Sequence, residues 1–357
     1  MTKIEWTEET WNPIIGCKRI SEGCNHCYAI NNVHRGLAPQ HKNLTVHTKG
    51  AGTDWNGQVN VAEHRMDLPL RTTKPTMWFV NSLSDPWYEG VAEATVARMF
   101  AVMALTPHHT YQVLTKRPKR MAAMLSSPSW GHRVRAAVDD LVEGHPERAA
   151  AGARWVVQWN VAAPVALPNV WLGTSVELDK YAFRADHLRA TPAAVRFISA
   201  EPLLGPLPSL DLTSIDWLIV GGESGPGARP MHPQWVRDLR DRCNPTEHPC
   251  AGSCQGCGAG PDEACLPPCR CDDGDDCAAS KVPALFFKQW GEWVGFGPDE
   301  YGASITLAAS TGALHKDWLD DPRRSASVRV GKAAAGRQLD GLTWDELPAQ
   351  AGSAREG

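Results

Sequence analysis

The sequence predicts an α/β protein built as a partial (β/α) barrel, and three observations carry that reading. Short apolar runs recur along the chain, helix-like segments lie between them, and glycine, polar or acidic residues follow each run. Alternation of strand and helix implies a parallel sheet, whose functional residues gather where the strands end. A doubly wound open sheet shares this alternation, because strand order is not legible in a sequence.

The elements follow in order. Pro13-Ile14-Ile15 leads into Gly16-Cys17 and is the first expected strand. Met77 to Val80 leads into Asn81-Ser82-Leu83-Ser84-Asp85, and Tyr111 to Leu114 into Thr115-Lys116-Arg117. Val170 to Leu172 leads into Gly173-Thr174-Ser175-Val176-Glu177, and Val195 to Ile198 into Ser199-Ala200-Glu201-Pro202. Trp217 to Val220 leads into Gly221-Gly222-Glu223-Ser224, and Ala284 to Phe287 into Lys288-Gln289-Trp290-Gly291. Helices are expected over 91–105, 180–190 and 233–242, the last with Trp235, Val236 and Leu239 on one face. Two stretches, 36–69 and 122–166, show little periodicity and read as lids or loops.

Composition narrows the class. A chain of 357 residues is long enough for one large α/β domain with insertions. No apolar stretch approaches eighteen residues, so a cytoplasmic protein without membrane spans is expected. The formal charge of −4 argues against a broad basic surface, and any nucleic-acid contact must rest on a local patch. The densest basic run is Lys116-Arg117-Pro118-Lys119-Arg120, which reads equally as a solvated helix start or a phosphate contact. The fifteen tryptophans sit mostly beside apolar or turn residues, where packing is the default role.

The chemistry concentrates in Cys17, Cys24 and Cys27, three soft ligands within eleven residues. Three thiolates on one loop suit an iron-sulfur cluster, and holding a four-iron cubane with three leaves one iron open. A zinc site completed by His26 or His34 fits the same spacing, so spacing alone leaves both open. A disulfide is the weaker reading, because no apolar secretory segment lies near Met1.

Other candidates follow the later strands. Ser84 with Asp85, Ser175 with Glu177, and Ser199 with Glu201 repeat a polar-then-acidic pattern. Each serine alone suits a helix N-cap; jointly the residues would surround a ligand with hydroxyls and carboxylates. Gly221 and Gly222 would let backbone amides approach a ligand, while Glu223 and Ser224 offer contacts to a ribose hydroxyl or an ammonium. Such a glycine turn is more often plain turn chemistry.

The motifs Trp11-Asn12-Pro13, Gly16-Cys17 and Gly23-Cys24-Asn25-His26-Cys27-Tyr28-Ala29 resemble the radical S-adenosylmethionine (SAM) superfamily, and more closely an uncharacterised phage-associated family of radical SAM-like proteins. The likeness extends through Leu114-Thr115-Lys116-Arg117-Pro118, Ser199-Ala200-Glu201-Pro202-Leu203-Leu204, Phe286 to Gly291 and Trp344-Asp345. One departure is the six residues between Cys17 and Cys24, where the superfamily most often has three. The resemblance implies a six-unit partial barrel, a 4Fe-4S cluster on Cys17, Cys24 and Cys27, and SAM on the open iron. Tyr28 would then pack near cluster or SAM. An electron donor, such as a reductase or a flavodoxin-like protein, is the implied partner. A nucleobase, nucleotide or nucleic acid is the expected substrate, in a host cytoplasm if phage-encoded. The rival reading is a zinc-binding, nucleic-acid-associated protein without SAM chemistry.

One segment looks grafted in. The core is expected to run over 1–242, an insertion over 243–281, and the last strand with an extension over 282–357. The insertion holds eight of the eleven cysteines and almost no apolar residues, so it needs a metal to fold. Cys254, Cys257 and Cys265 with Cys269 make the expected site, Cys271, Cys277, Cys250 and His248 being alternative fourth ligands; its paired spacing favours zinc over a second cluster.

Overall fold

A computed structural model describes residues 4–36, 38–50, 52–143, 166–243, 282–296, 314–315, 326–330 and 332–348. The chain divides into two compact units, one of residues 1–176 and 183–199, the other of 177–182 and 200–356.

The principal strands are β1 (Glu9–Trp11), β6 (Met77–Val80), β7 (Thr110–Thr115), β8 (Val170–Ser175), β9 (Val195–Ala200), β10 (Trp217–Gly221) and β11 (Ala284–Gln289). They form one sheet whose order follows the chain, β1-β6-β7-β8-β9-β10-β11. A doubly wound sheet reverses direction at a switch point, and this order has none. Sequential parallel strands are compatible with a partial (β/α) barrel.

In the first unit the main-sheet registers are parallel, with Trp11 opposite Val80, Trp78 opposite Tyr111, Leu114 opposite Gly173 and Trp171 opposite Val195. Strands covered on both faces read as unbroken apolar runs, which is why β6 to β9 were legible. Helix α4 (Glu93–Leu105) is buried along almost its whole circumference, and Phe100 meets Trp130 of α6 (Trp130–Val142) edge-on at 5.3 Å. Over Trp130–Val142 that helix corrects the loop expected over 122–166, of which residues 144–165 lie outside the described residues.

The first expected strand is also corrected. The sheet begins at β1, while Ile14–Ile15 forms a short β2 paired antiparallel with β5 (Asn60–Val61). The stretch 36–69 is likewise structured: β3 (Thr45–Thr48) and β4 (Gly52–Trp55) form a hairpin. Its Leu44 and Trp55 pack with Ile15, Ile30 and Val33 of α1 (Tyr28–His34) in a small apolar core. Cys17 and Cys27 rest against that core, so two of the three signature cysteines lie on a floor that the supposed loop helps to build.

In the second unit β10 and β11 pair in parallel, Trp217 opposite Ala284, with a register break after Val220. Trp217 to Val220 are fully buried, and the helix Pro233–Cys243 turns Val236, Leu239 and Cys243 inward. The expected helix over 180–190 is a 3-10 turn at Asp179–Tyr181 followed by a helix over Arg184–Arg189. Among the described residues no helix is long and apolar enough to cross a membrane.

Candidate functional site

The cysteine loop is set in place by two asparagines. Asn12 Oδ1 accepts hydrogen bonds from Ser82 Oγ and the Leu83 amide, both at 3.1 Å. Asn81, at φ 59°, donates its amide to the Trp11 carbonyl at 2.8 Å. Asparagine tolerates the left-handed region better than most residues, so it suits a strand that must turn abruptly at its end. These bonds tie the segment after β1 to the segment after β6.

Gly16 then delivers Cys17. Its φ is +105°, its amide donates to the Leu83 carbonyl at 3.2 Å, and a Cβ there would lie 2.3 Å from the Gln58 carbonyl oxygen. Only glycine fits. Gly16→Ala is therefore expected to cost roughly 1–3 kcal/mol and to displace the cysteine loop. Denaturant unfolding checks it: an unchanged midpoint would mean the turn relaxes freely.

Beyond Cys17 the loop is stapled by Arg19, which donates to Asp54 Oδ1 and the Asn25 carbonyl, both at 2.7 Å. Cys24 closes a 3-10 turn, with Ser21 Oγ 3.8 Å from its sulfur. Cys27 is the N-cap of α1, its carbonyl accepting from the Ile30 amide at 3.3 Å. All three cysteines are free thiols of intermediate exposure. Burial pushes the Cys17 thiol up to about 12, with Asp85 adding to the rise and Arg117 opposing it. Cys27 is raised too, first by burial. Each of the two also feels the charge of Cys24.

Tyr28 is half exposed and donates its hydroxyl to the Ser82 carbonyl at 2.9 Å, so its ring is held beside the loop. Ser84 pairs its backbone with Gly16, and its buried hydroxyl has no hydrogen-bond partner. Asp85 is 5% exposed and fully engaged. Its Oδ1 accepts from Thr115 Oγ1 at 2.7 Å and the Trp87 amide at 3.0 Å. Its Oδ2 accepts from the Lys116 amide and Arg117 Nη1, both at 3.0 Å. The structure thus spends this carboxylate on its own chain rather than turning it to a ligand.

The basic run divides. Arg117 is buried, Arg120 donates to the Tyr88 and Val91 carbonyls, and Lys119 is exposed. A phosphate contact from this run would fall to the lysines. Ser175 is 3% exposed, its carbonyl accepting from Arg184 Nη1 at 2.8 Å.

The second unit gathers the remaining candidates. Glu177 is wholly buried. Glu201 Oε1 lies 2.8 Å from Lys288 Nζ, and a Cβ on Gly221 would meet that same oxygen at 2.8 Å. Gly222 abuts the Trp290 carbonyl, 2.0 Å from where a Cβ would sit. Its glycine serves packing rather than an open approach to a ligand. Glu223 is 6% exposed; its Oε2 accepts from the Arg229 amide and Nε at 2.8 Å, and its Oε1 from Nη2 at 2.5 Å. Ser224 is exposed and accepts from Gln289 Nε2 at 3.3 Å. Cys254, Cys257, Cys265 and Cys269 lie outside the described residues.

The donor set on the loop fits a soft, thiophilic group: three thiols, none in a disulfide, two of them on an apolar floor with a buried guanidinium alongside. Among the described residues no three His, Cys, Asp or Glu side chains stand as a ready site for a metal ion. Asn12, Asn81 and Thr115 stood in the motifs and strand ends read from the sequence but were not singled out as site residues, and Arg19 was not either.

Fold and loop together define an α/β protein with a sequentially ordered sheet and a three-cysteine loop following its first strand. The chain belongs to the family described as a protein of unknown function (DUF5131), whose model matches residues 1–251 and 270–348. The unmatched stretch contains Cys254, Cys257, Cys265 and Cys269, so the expected insertion site lies outside what the family model matches. No curated protein and no solved structure matches the chain.

Proposed function

We propose that this protein is a radical SAM iron-sulfur enzyme in which Cys17, Cys24 and Cys27 hold a 4Fe-4S cluster. The observation that carries the reading is three free thiols on one loop, two of them resting on an apolar floor. A cubane spreads its thiolates over separate irons, so it asks for three cysteines on one loop rather than three sulfurs converged on a point. When bound, cluster and SAM supply one-electron cleavage of SAM and hydrogen abstraction from an unactivated carbon.

The chain's residues have distinct tasks in this reading. Gly16 and Arg19 fix the loop, and the floor of Ile15, Ile30, Val33 and Leu44 excludes water from the sulfur side. The exposed ring of Tyr28 offers a flat surface to a bound adenine or substrate base. A flavodoxin-like or reductase partner supplies the electron. The insertion binds zinc through Cys254, Cys257, Cys265 and Cys269, apart from the cluster.

Anaerobic reconstitution tests the cluster: about four iron and four sulfide per chain are expected. One zinc and no sulfide at the loop would overturn the reading. The substrate class proposed is a nucleobase in a nucleotide or nucleic acid, with the lysines of the basic run as contacts. Nucleosides from cells expressing wild-type or cysteine-free protein are expected to differ by mass; identical profiles would remove nucleic acid from the substrates.

A further inference from the structure

The most heavily committed side chain near the cysteine loop is Arg117, just beyond β7. Its side chain is 5% exposed, so a cation has been taken out of water and must be matched. Asp85 matches it at 3.0 Å, and Asp85 is itself fixed by Thr115, Trp87 and Lys116. Arg117 also donates Nε to Glu89 at 3.3 Å, and its plane lies over the Tyr88 ring at 5.0 Å. Held so rigidly, the guanidinium aims its two remaining contacts at the loop. Nη2 donates to the Lys18 carbonyl at 2.8 Å, and Nη1 approaches the Cys17 sulfur at 3.9 Å.

The arrangement goes beyond what anchoring Asp85 requires. A simple ion pair needs neither the Lys18 carbonyl nor a sulfur. The planar fork allows several acceptors to be served at fixed angles, which an ammonium cannot do.

We propose that Arg117, braced by Asp85, is a positioning residue for Cys17, fixing the loop through Lys18 and withdrawing charge from the sulfur so that the cluster is more easily reduced. The inference rests on Cys17 being a cluster ligand. Hydrogen bonds to ligating sulfur and nearby positive charge both raise the reduction potential of such a group.

Two variants test it. Arg117→Lys keeps a charge for Asp85 but loses the fork; Asp85→Asn with Arg117→Gln removes both charges together and avoids a stranded ion. In reconstituted protein both variants are expected to retain iron, and Arg117→Lys, which leaves the Asp85 carboxylate beside Cys17 and loses the fork, is expected to show a midpoint potential more negative than wild type. An unchanged potential in iron-loaded Arg117→Lys overturns the proposal, because a merely structural residue would leave it unmoved. In metal-free protein, hydrogen exchange across residues 16–20 is expected to quicken in both variants. Unchanged exchange there overturns the proposal as well. Should wild type take up no cluster, the functional reading fails and the exchange measurement alone decides whether Arg117 positions the loop.

Discussion

Asp85→Ala is expected to destabilise the protein by about 3–5 kcal/mol, the scale of a buried ion pair broken on one side. Both partners are nearly inaccessible, with side-chain exposures of 5% for Arg117 and 7% for Asp85. Removing the carboxylate leaves a guanidinium in a low-dielectric site with its charge unmatched. It also orphans the Trp87 and Lys116 amides and the Thr115 hydroxyl, which now donate to it. Burial alone would favour the neutral form of Arg117, yet Asp85 and Cys17 outweigh it and hold the group more firmly protonated than usual. With Asp85 gone the guanidinium still stays charged at neutral pH, because arginine is effectively never deprotonated in proteins, and unfolding is the remaining relief. Asp85→Asn should fall between, since an amide keeps one acceptor oxygen but turns donors toward other donors. Denaturant unfolding followed by circular dichroism checks this. A loss under about 1 kcal/mol for Asp85→Ala would show that water reaches the pair.

The second large effect is on metal content. Replacing Cys17, Cys24 and Cys27 by alanine is expected to abolish iron uptake at the loop while leaving the fold largely intact. The thiols are partly exposed, and the loop is held by other groups: the Gly16 amide, the Arg19 guanidinium and the Asn12 carboxamide. Cys17 and Cys27 do touch the apolar floor, so a modest loss of roughly 1 kcal/mol per buried sulfur is expected. Iron analysis beside thermal unfolding separates the two effects. Retention of the full iron content would place the cluster elsewhere in the chain.

The sequence made the later strands legible because each is covered on both faces and so reads as an apolar run. Strand β1 was not, since Glu9, Thr10 and Trp11 form a short edge with β6 as its one neighbour and carry no such run. Ile14 and Ile15 misled for the opposite reason. They are fully buried, but paired with β5, and Ile15 packed on α1, rather than in the main sheet. Helix α6 was hidden by its mixed composition, with Trp130, Val134 and Val138 buried and charged residues between them.

The candidate site was legible where chemistry is local and illegible where it depends on distant partners. Three cysteines in eleven residues announce themselves. Arg117 does not, because its direction is decided by Asp85, thirty-two residues earlier, and by Lys18, ninety-nine residues earlier. The same holds for Glu201, whose partner Lys288 lies on β11. Glu223 shows a subtler limit: its partner Arg229 is only six residues away, yet nothing in the glycine-rich spacing says the loop folds back on its own carboxylate.

The central claim, that Cys17, Cys24 and Cys27 hold a cluster that works on SAM, is tested most directly by SAM cleavage. Anaerobically reconstituted wild-type protein, reduced and given SAM, is expected to release 5'-deoxyadenosine, while the Cys17, Cys24 and Cys27 to alanine variant releases none. Cluster-loaded wild type that leaves SAM intact under reduction, or equal release by both proteins, would contradict the account.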